Sequence, residues 1–349
     1  MQGPTHENRP HGLNAGRAGP ALAVLLAAGM ALAEPGPSVA QVEAEMLQRV
    51  EAVTRAAAHD GVVPRFNQPK TVGCVDAEFR VREDIPSHLR QGLFARPGRY
   101  PAYLRFANAT EADDSEKDIR GLSIRVRQVP GEVAWGEPGA QDFLLNSYPA
   151  LFADTPETFL KFIRAREAGK EWRFFLNPLD PHLKALWIVF RARQHHLSPL
   201  DIRYWSTVPF RLGEDGGQVV KYSVSPCSRY RTERAVQPGA DQLRAALKAH
   251  LQREPACLSF AVQLRTDPAA MPIEDASVIW DEADSPFVEV ATLTIEDQPF
   301  DSAEALARCE RSRFNPWQGL RAHEPLGRMN AVRRQVYAHG AAVRQEVSP

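Results

Sequence analysis

The stretch 313-RFNPWQGLRAHEPLGRMNAVRRQVYAHGAAVR-344 decides how the chain is read. It has no proline after Pro325, and its later part predicts a helix over 327–346. On that helix Arg333 stands four residues before Tyr337, on the same face and within guanidinium reach, and Arg344 continues the face two turns on. A free phenol has a pKa near 10 and is a poor metal ligand at neutral pH. A neighbouring cation favours the phenolate. The spacing therefore has two readings: a helix surface on which Tyr and Arg stack, or a phenol poised to lose its proton and bind a metal.

Upstream the hydrophobic period is two. Val75, Ala77, Phe79 and Val81 alternate with charged residues in VDAEFRVR, and RYPAYLRF (99–106) and LSIRVR (122–127) repeat the pattern. Each predicts a strand with one wet face, as in antiparallel sheet. Further strands are predicted at 219–225, 258–265 and 288–295. Helices are predicted at 38–58, with Ser38 as N-cap, and at 157–167, 182–196 and 240–254. No helix alternates regularly with the strands, so the pattern says α+β, an antiparallel sheet or barrel with helices attached.

The formal net charge of −1 implies no general attraction to nucleic acid or anionic membrane. Cys74, Cys227, Cys257 and Cys309 match no zinc spacing and no C-x-x-C pair; they read as buried or half-buried thiols, with disulfides open if the protein is exported. RAGPALAVLLAAGMALAEPG (17–36) has an apolar core over 18–33 and an A-x-A-like site at Ala31–Ala33. Residues 1–37 are thus expected to be a signal peptide or an N-terminal extension, and 38–349 one domain. Export to a periplasm is one expectation and a cytoplasmic protein the other. No segment is long and apolar enough to span a membrane. The acidic run 111–118 reads as a solvated turn, and His195 and His196 as a solvated helix end.

The C-terminal string resembles the proximal segment of catalase-related haem proteins, most closely the small group with Phe-Asn-Pro-Trp (314–317), His-x-Pro-Leu-Gly (323–327) and Asn-x-x-Arg-x-x-x-Tyr (330–337). PAYLRFANA followed by DIRGLSIRV is similar to that family's strand pair, QDFLLNSYPALFADT to its distal segment, and RFNQPKTVGCVDAEF to the strand that opens its barrel. The resemblance runs from about residue 60 to the C-terminus and implies a catalase-type antiparallel β-barrel with surrounding helices. It implies haem b as cofactor, with Tyr337 as the iron ligand, Arg333 holding its phenolate, and Arg65, Arg105 and Arg344 pairing with the propionates. Asn146 would be the distal asparagine and Phe152 part of a distal apolar wall.

The distal histidine of the family would fall at Gln68, and the serine that supports it at Ala107. Both partners are replaced. A glutamine amide can hydrogen-bond but cannot shuttle a proton near neutral pH. The resemblance therefore implies an oxidoreductase acting on a peroxide or an organic hydroperoxide, with weak or absent catalase activity. Non-catalytic haem binding or sensing, and a haem enzyme for another small substrate, are the alternatives. The expected partner is a small-molecule substrate, and the expected assembly a monomer or homodimer.

Overall fold

The computed structural model describes residues 38–58, 63–214 and 216–347. The expected extension over 1–37, with its apolar 18–33 segment, lies outside these residues. The first helix, α1 (Val39–Ala56), opens on Ser38 as expected. The Ser38 hydroxyl accepts from Gln41 N at 3.3 Å while the Gln41 side chain accepts from Ser38 N at 2.7 Å.

The chain continues through β1 (Lys70–Val81), β2 (Gly98–Asn108), β3 (Arg120–Arg127), β4 (Val133–Trp135), β5 (Ala140–Asn146), α2 (Pro156–Glu167), α3 (Glu171–Leu176) and α4 (Leu183–Ala192). Then come β6 (Tyr204–Trp205), β7 (Phe210–Leu212), β8 (Gln218–Pro226), α5 (Gln242–Arg253), β9 (Ala256–Leu264), β10 (Val288–Ile295), α6 (Ala303–Arg311), β11 (Gly319–Leu320) and α7 (Arg328–Val347). Pairing is antiparallel throughout, in the order β6-β5-β3-β2-β1-β10-β9-β8, and β6 pairs again with β8. That second pairing closes an eight-stranded barrel; β7 adds to β8 outside it, and β4 with β11 forms a small separate ladder. The α+β expectation holds.

An eight-stranded barrel is just wide enough inside for side chains to fill. Here Phe79, Phe106, Phe143, Tyr222 and Phe260 do so, with Phe143 and Phe260 edge to face at 4.8 Å. Gly73 sits at a bulge of β1, where a Cβ would meet the Phe300 ring at 2.9 Å.

Four expectations need correction. The predicted wet face of β2 and β3 is dry along much of its length: Tyr103, Arg105, Ala107 and Ser123 are all buried. Alternation reports which residues share a face, and what covers that face comes from distant segments. The acidic run is no solvated turn, because Asp114 and Asp118 are buried; Asp114 accepts from Asn108 Nδ2 at 2.7 Å and Leu243 N at 3.0 Å. The helix predicted over 182–196 ends at Ala192, and burial pushes the His196 imidazole down to about 4. Finally, the cysteines are paired, Cys74 with Cys309 and Cys227 with Cys257, with no free thiol among the described residues.

Candidate functional site

Asn330 is fully buried and spends its amide on the backbone, donating to Pro209 O and Leu326 O at 2.9 Å each. Its Oδ1 is thereby aimed at Arg333, whose Nη1 donates to it at 3.0 Å. The other end of that guanidinium lies 3.5 Å from Tyr337 Oη, with Cζ 5.4 Å from the ring centre. The motif Asn-x-x-Arg-x-x-x-Tyr is thus a physical relay in which a buried amide orients a guanidinium and the guanidinium faces a phenol.

Phe-Asn-Pro-Trp works as a clamp. Trp317 Nε1 donates to Asn330 O at 2.6 Å, Asn315 Nδ2 donates to Arg334 O at 3.0 Å, and Asn315 N donates to Asp142 Oδ2 at 3.0 Å. Asp142, buried on β5, is held by Arg125 in a fork of two 2.7 Å bonds. The string ties α7 to the barrel wall. His323 is structural: its Nε2 accepts from Leu93 N at 2.9 Å, its Nδ1 faces Tyr222 Oη at 2.8 Å, and burial pushes it down to about 3.

Arg65, Arg105 and Arg344 come from the segment before β1, from β2 and from α7, and the structure brings them together. Arg105 is 2 % exposed; its Nη2 donates to Thr71 Oγ1 at 2.7 Å and to Gln68 O at 2.8 Å. Arg65 forms an ion pair with Glu310 and caps the end of α6, donating to Cys309 O, Glu310 O and Ser312 O at 3.2, 3.1 and 2.9 Å. Arg344 Nη1 donates to Glu310 O at 3.1 Å. Burial, then the charges of Arg65 and Arg344, hold Arg105 well below the ordinary arginine value; burial and Arg65 push Arg344 down to about 10. Burial acts to raise the Glu310 carboxyl, yet Arg65 and Arg105, with the Thr71 hydroxyl, hold it below its usual range. Three guanidiniums share this one carboxylate.

Gln68 and Asn146 also meet, with Gln68 Nε2 donating to Asn146 Oδ1 at 2.8 Å. The register explains the meeting. Ala107 faces Gly121 across β2 and β3, and Gly121 faces Asn146 across β3 and β5. The Gln68 amide lies over Gly121, where a Cβ would come within 2.1 Å of it. Gln68 itself has a φ of 58°. Phe152 joins a phenyl cluster, its ring 4.7 Å from Phe162, 5.8 Å from Phe159 and 6.1 Å from Phe174. Phe66, two residues before Gln68, and Val336, next to Tyr337, pack into one apolar cluster with Phe159, so the elements bearing the two groups are joined.

Sequence reasoning missed Glu310, Thr71 and Gly121. Glu310 sits near the end of a nine-residue helix that the strand-and-helix reading did not predict, Thr71 carried no signal of its own, and Gly121 was read only as part of DIRGLSIRV, with no role of its own.

A closed antiparallel barrel with helices on its outside is the catalase-type fold, and this chain has it. It is similar to a fungal catalase at 16 % identity (TM-score 0.64, covering 84 % of this chain and 61 % of that one). Catalase A from Saccharomyces cerevisiae matches at 18 % identity (TM-score 0.64, 84 % and 63 %), and a bacterial catalase at 17 % (TM-score 0.61, 90 % and 62 %). The chain spans about three fifths of the length of each of these proteins. No family model matches the sequence.

Proposed function

We propose that the protein binds haem b and acts as an oxidoreductase on a peroxide or organic hydroperoxide, with little true catalase activity. The carrying observation is the donor set: three guanidiniums gathered around one carboxylate, with a phenol and its guanidinium on the helix that supplies one of the three. Among the described residues no three His, Cys, Asp or Glu side chains gather as a site for a bare metal ion. A dianionic prosthetic group suits a cluster with two more cations than anions. Tyr337 would be the iron ligand and Arg65, Arg105 and Arg344 would hold the carboxylates. When bound, haem would supply the redox chemistry on the O–O bond.

The chain's own residues do the rest. Arg333, fixed by Asn330, lies 3.5 Å from the Tyr337 hydroxyl and would pair with the phenolate of an iron-bound tyrosine. Gln68 and Asn146 are two amides joined by a hydrogen bond; they can orient a hydroperoxide through donors and acceptors, but neither changes protonation near neutral pH. Ala107 offers no hydroxyl to orient a base. Disproportionation of hydrogen peroxide, which needs a proton taken and returned, is therefore slow, and substrates that need only positioning are favoured. The two disulfides support an oxidising compartment, and with it export through the 18–33 segment.

The test is an absorption spectrum of the purified protein with haemin, before and after hydrogen peroxide or a fatty-acid hydroperoxide. The expected result is a phenolate-ligated ferric spectrum and preferential consumption of the organic oxidant. A chain that refuses haemin would end the proposal, and oxygen evolution at the rate of a catalase would overturn its second half.

A further inference from the structure

Against the outer face of β2 and β3, beside the end of α6, lies a cleft of about 270 Å³ into which five arginines converge: Arg125, Arg127, Arg308, Arg311 and Arg313. No residue lining it is acidic. Arg125 is engaged by Asp142, and Arg308 has Asp76 at 3.6 Å. Arg127, Arg311 and Arg313 have no carboxylate partner among the described residues. The carbonyls at the end of α6 do not balance them either, because Arg65 takes those of Cys309, Glu310 and Ser312 and Arg125 takes that of Arg313.

The floor of the cleft is built. Tyr103 is 5 % exposed and packs with Phe314 against the Cys74–Cys309 disulfide, which fixes α6, and with it Arg308 and Arg311, to β1. The Tyr103 hydroxyl is buried and finds no acceptor for its proton; the charge that acts on it most is the Arg308 guanidinium. The charged groups that line the cleft are all cations. Guanidiniums already lie against the rings, Arg127 and Arg308 at 5.4 and 5.5 Å from Tyr103 and Arg125 at 5.5 Å from Phe314. A ligand would be read through charge and acceptor oxygens rather than through a stacked ring.

We propose that this cleft binds a small diphosphate anion, either inorganic pyrophosphate or the diphosphate of a nucleotide. Three unmatched guanidiniums call for more than one negative charge, and each can hold a phosphate by paired hydrogen bonds. A monocarboxylate supplies neither the charge nor enough oxygens. The site lies beyond the haem reading, since it shares none of Arg65, Arg105 and Arg344.

Calorimetric titration of the full chain with inorganic pyrophosphate, with ADP, and with sulfate at matched ionic strength tests this. One equivalent of pyrophosphate and of ADP should bind with dissociation constants within threefold of each other, and sulfate at least tenfold more weakly. The double variant R127Q/R311Q should bind pyrophosphate at least tenfold more weakly. Both side chains are exposed and make no hydrogen bond among the described residues, and the variant gives up only the Arg127 contact with the Tyr103 ring, so its melting temperature should stay close to the parent's. R96Q, which removes the same kind of charge from an exposed position elsewhere, should bind as the parent does. ADP binding far more tightly than pyrophosphate would assign the site to a nucleotide. Equal binding of sulfate, an unchanged double variant, or failure of both pyrophosphate and ADP to bind would each overturn the proposal. So would a signal lost in R344Q but kept in the double variant, because the anion would then sit at the other arginine cluster.

Discussion

Restoring a base at position 68 should create catalase activity, and the register says how. Gln68 places its amide over Gly121, and Gly121 has Asn146 on one side and Ala107 on the other. Adjacent strands lie about 4.8 Å apart, and directly opposed residues share a face. A serine at 107 would thus put its hydroxyl within hydrogen-bond reach of an imidazole that replaced the amide. The backbone is permissive, since histidine is among the residues enriched at positive φ and Gln68 has a φ of 58°. The exchange loses one hydrogen bond, Gln68 to Asn146, at a cost of about 1 kcal/mol. An oriented general base contributes about 10²–10⁴ in rate, or about 3–5 kcal/mol of barrier. Q68H alone should yield less, because nothing fixes the ring; a coupling of about tenfold is expected when A107S is added. The assay is oxygen evolution per haem in the parent, both single variants and the double variant. Haem spectra should match throughout, and melting temperatures should stay within a few degrees of the parent. A double variant with intact haem and oxygen evolution within threefold of the parent would refute the placement of residues 68 and 107 on the reacting side.

Tyr337→Phe should abolish retention of haemin on a desalting column yet leave the melting temperature of the haem-free chain nearly unchanged, because among the described residues the phenol oxygen's one hydrogen-bond partner is Arg333, at 3.5 Å. Glu310→Gln removes the carboxylate shared by Arg65, Arg105 and Arg344 and should destabilise the haem-free chain by about 1–3 kcal/mol in urea unfolding. Haemin should shrink that loss by supplying carboxylates, and an equal loss in both forms would count against the propionate assignment. The His323 imidazole is held at about 3 in the fold and titrates near 6.5 when unfolded, so the unfolded chain takes up more protons as pH falls through that window. Its share of stability should therefore decline by about 2 kcal/mol between pH 7 and pH 5, and H323Q should flatten that part of the curve.

The barrel was legible because strand alternation and the Ser38 cap are local signals. β5 was read only as part of a resemblance: Gln141 and Asp142 are buried along with its apolar residues, so the period of two is lost. The helix end before His195 was overrun because Arg191 and Arg193 continue a pattern that the backbone abandons at Ala192. Tyr337 with Arg333 could be read from spacing alone, as one of two meanings. The gathering of Arg65, Arg105 and Arg344 could not, since the three lie 40 and 239 residues apart along the chain, and only the resemblance pointed to it. Glu310 stayed invisible for a related reason: the helix that delivers it is placed by a disulfide between residues 235 apart in sequence, and pairing cannot be deduced from a cysteine count.

The misread wet face carries the functional argument. A barrel that had only to fold could fill the outer side of β2 with apolar residues, and exchange of buried ionic groups for well-packed hydrophobic ones is often neutral or stabilising. This chain instead buries Arg105 beside Arg65 and Arg344, whose charges, after burial, lower its affinity for protons, with Glu310 as the counter-charge that acts on all three. The arrangement is also held rigidly, by Thr71 and the Gln68 carbonyl around Arg105 and by the helix end that Arg65 caps. Rigid, partly uncompensated cations destabilise a fold and favour an anion of fixed shape. The same Gln68 that offers its carbonyl to Arg105 offers its amide to Asn146, so one residue links the cluster that would grip the prosthetic group to the pair that would face the substrate. A substitution that moved the Gln68 backbone should therefore disturb haem retention and substrate turnover together, whereas Q68H, which changes only the side chain, should alter turnover alone.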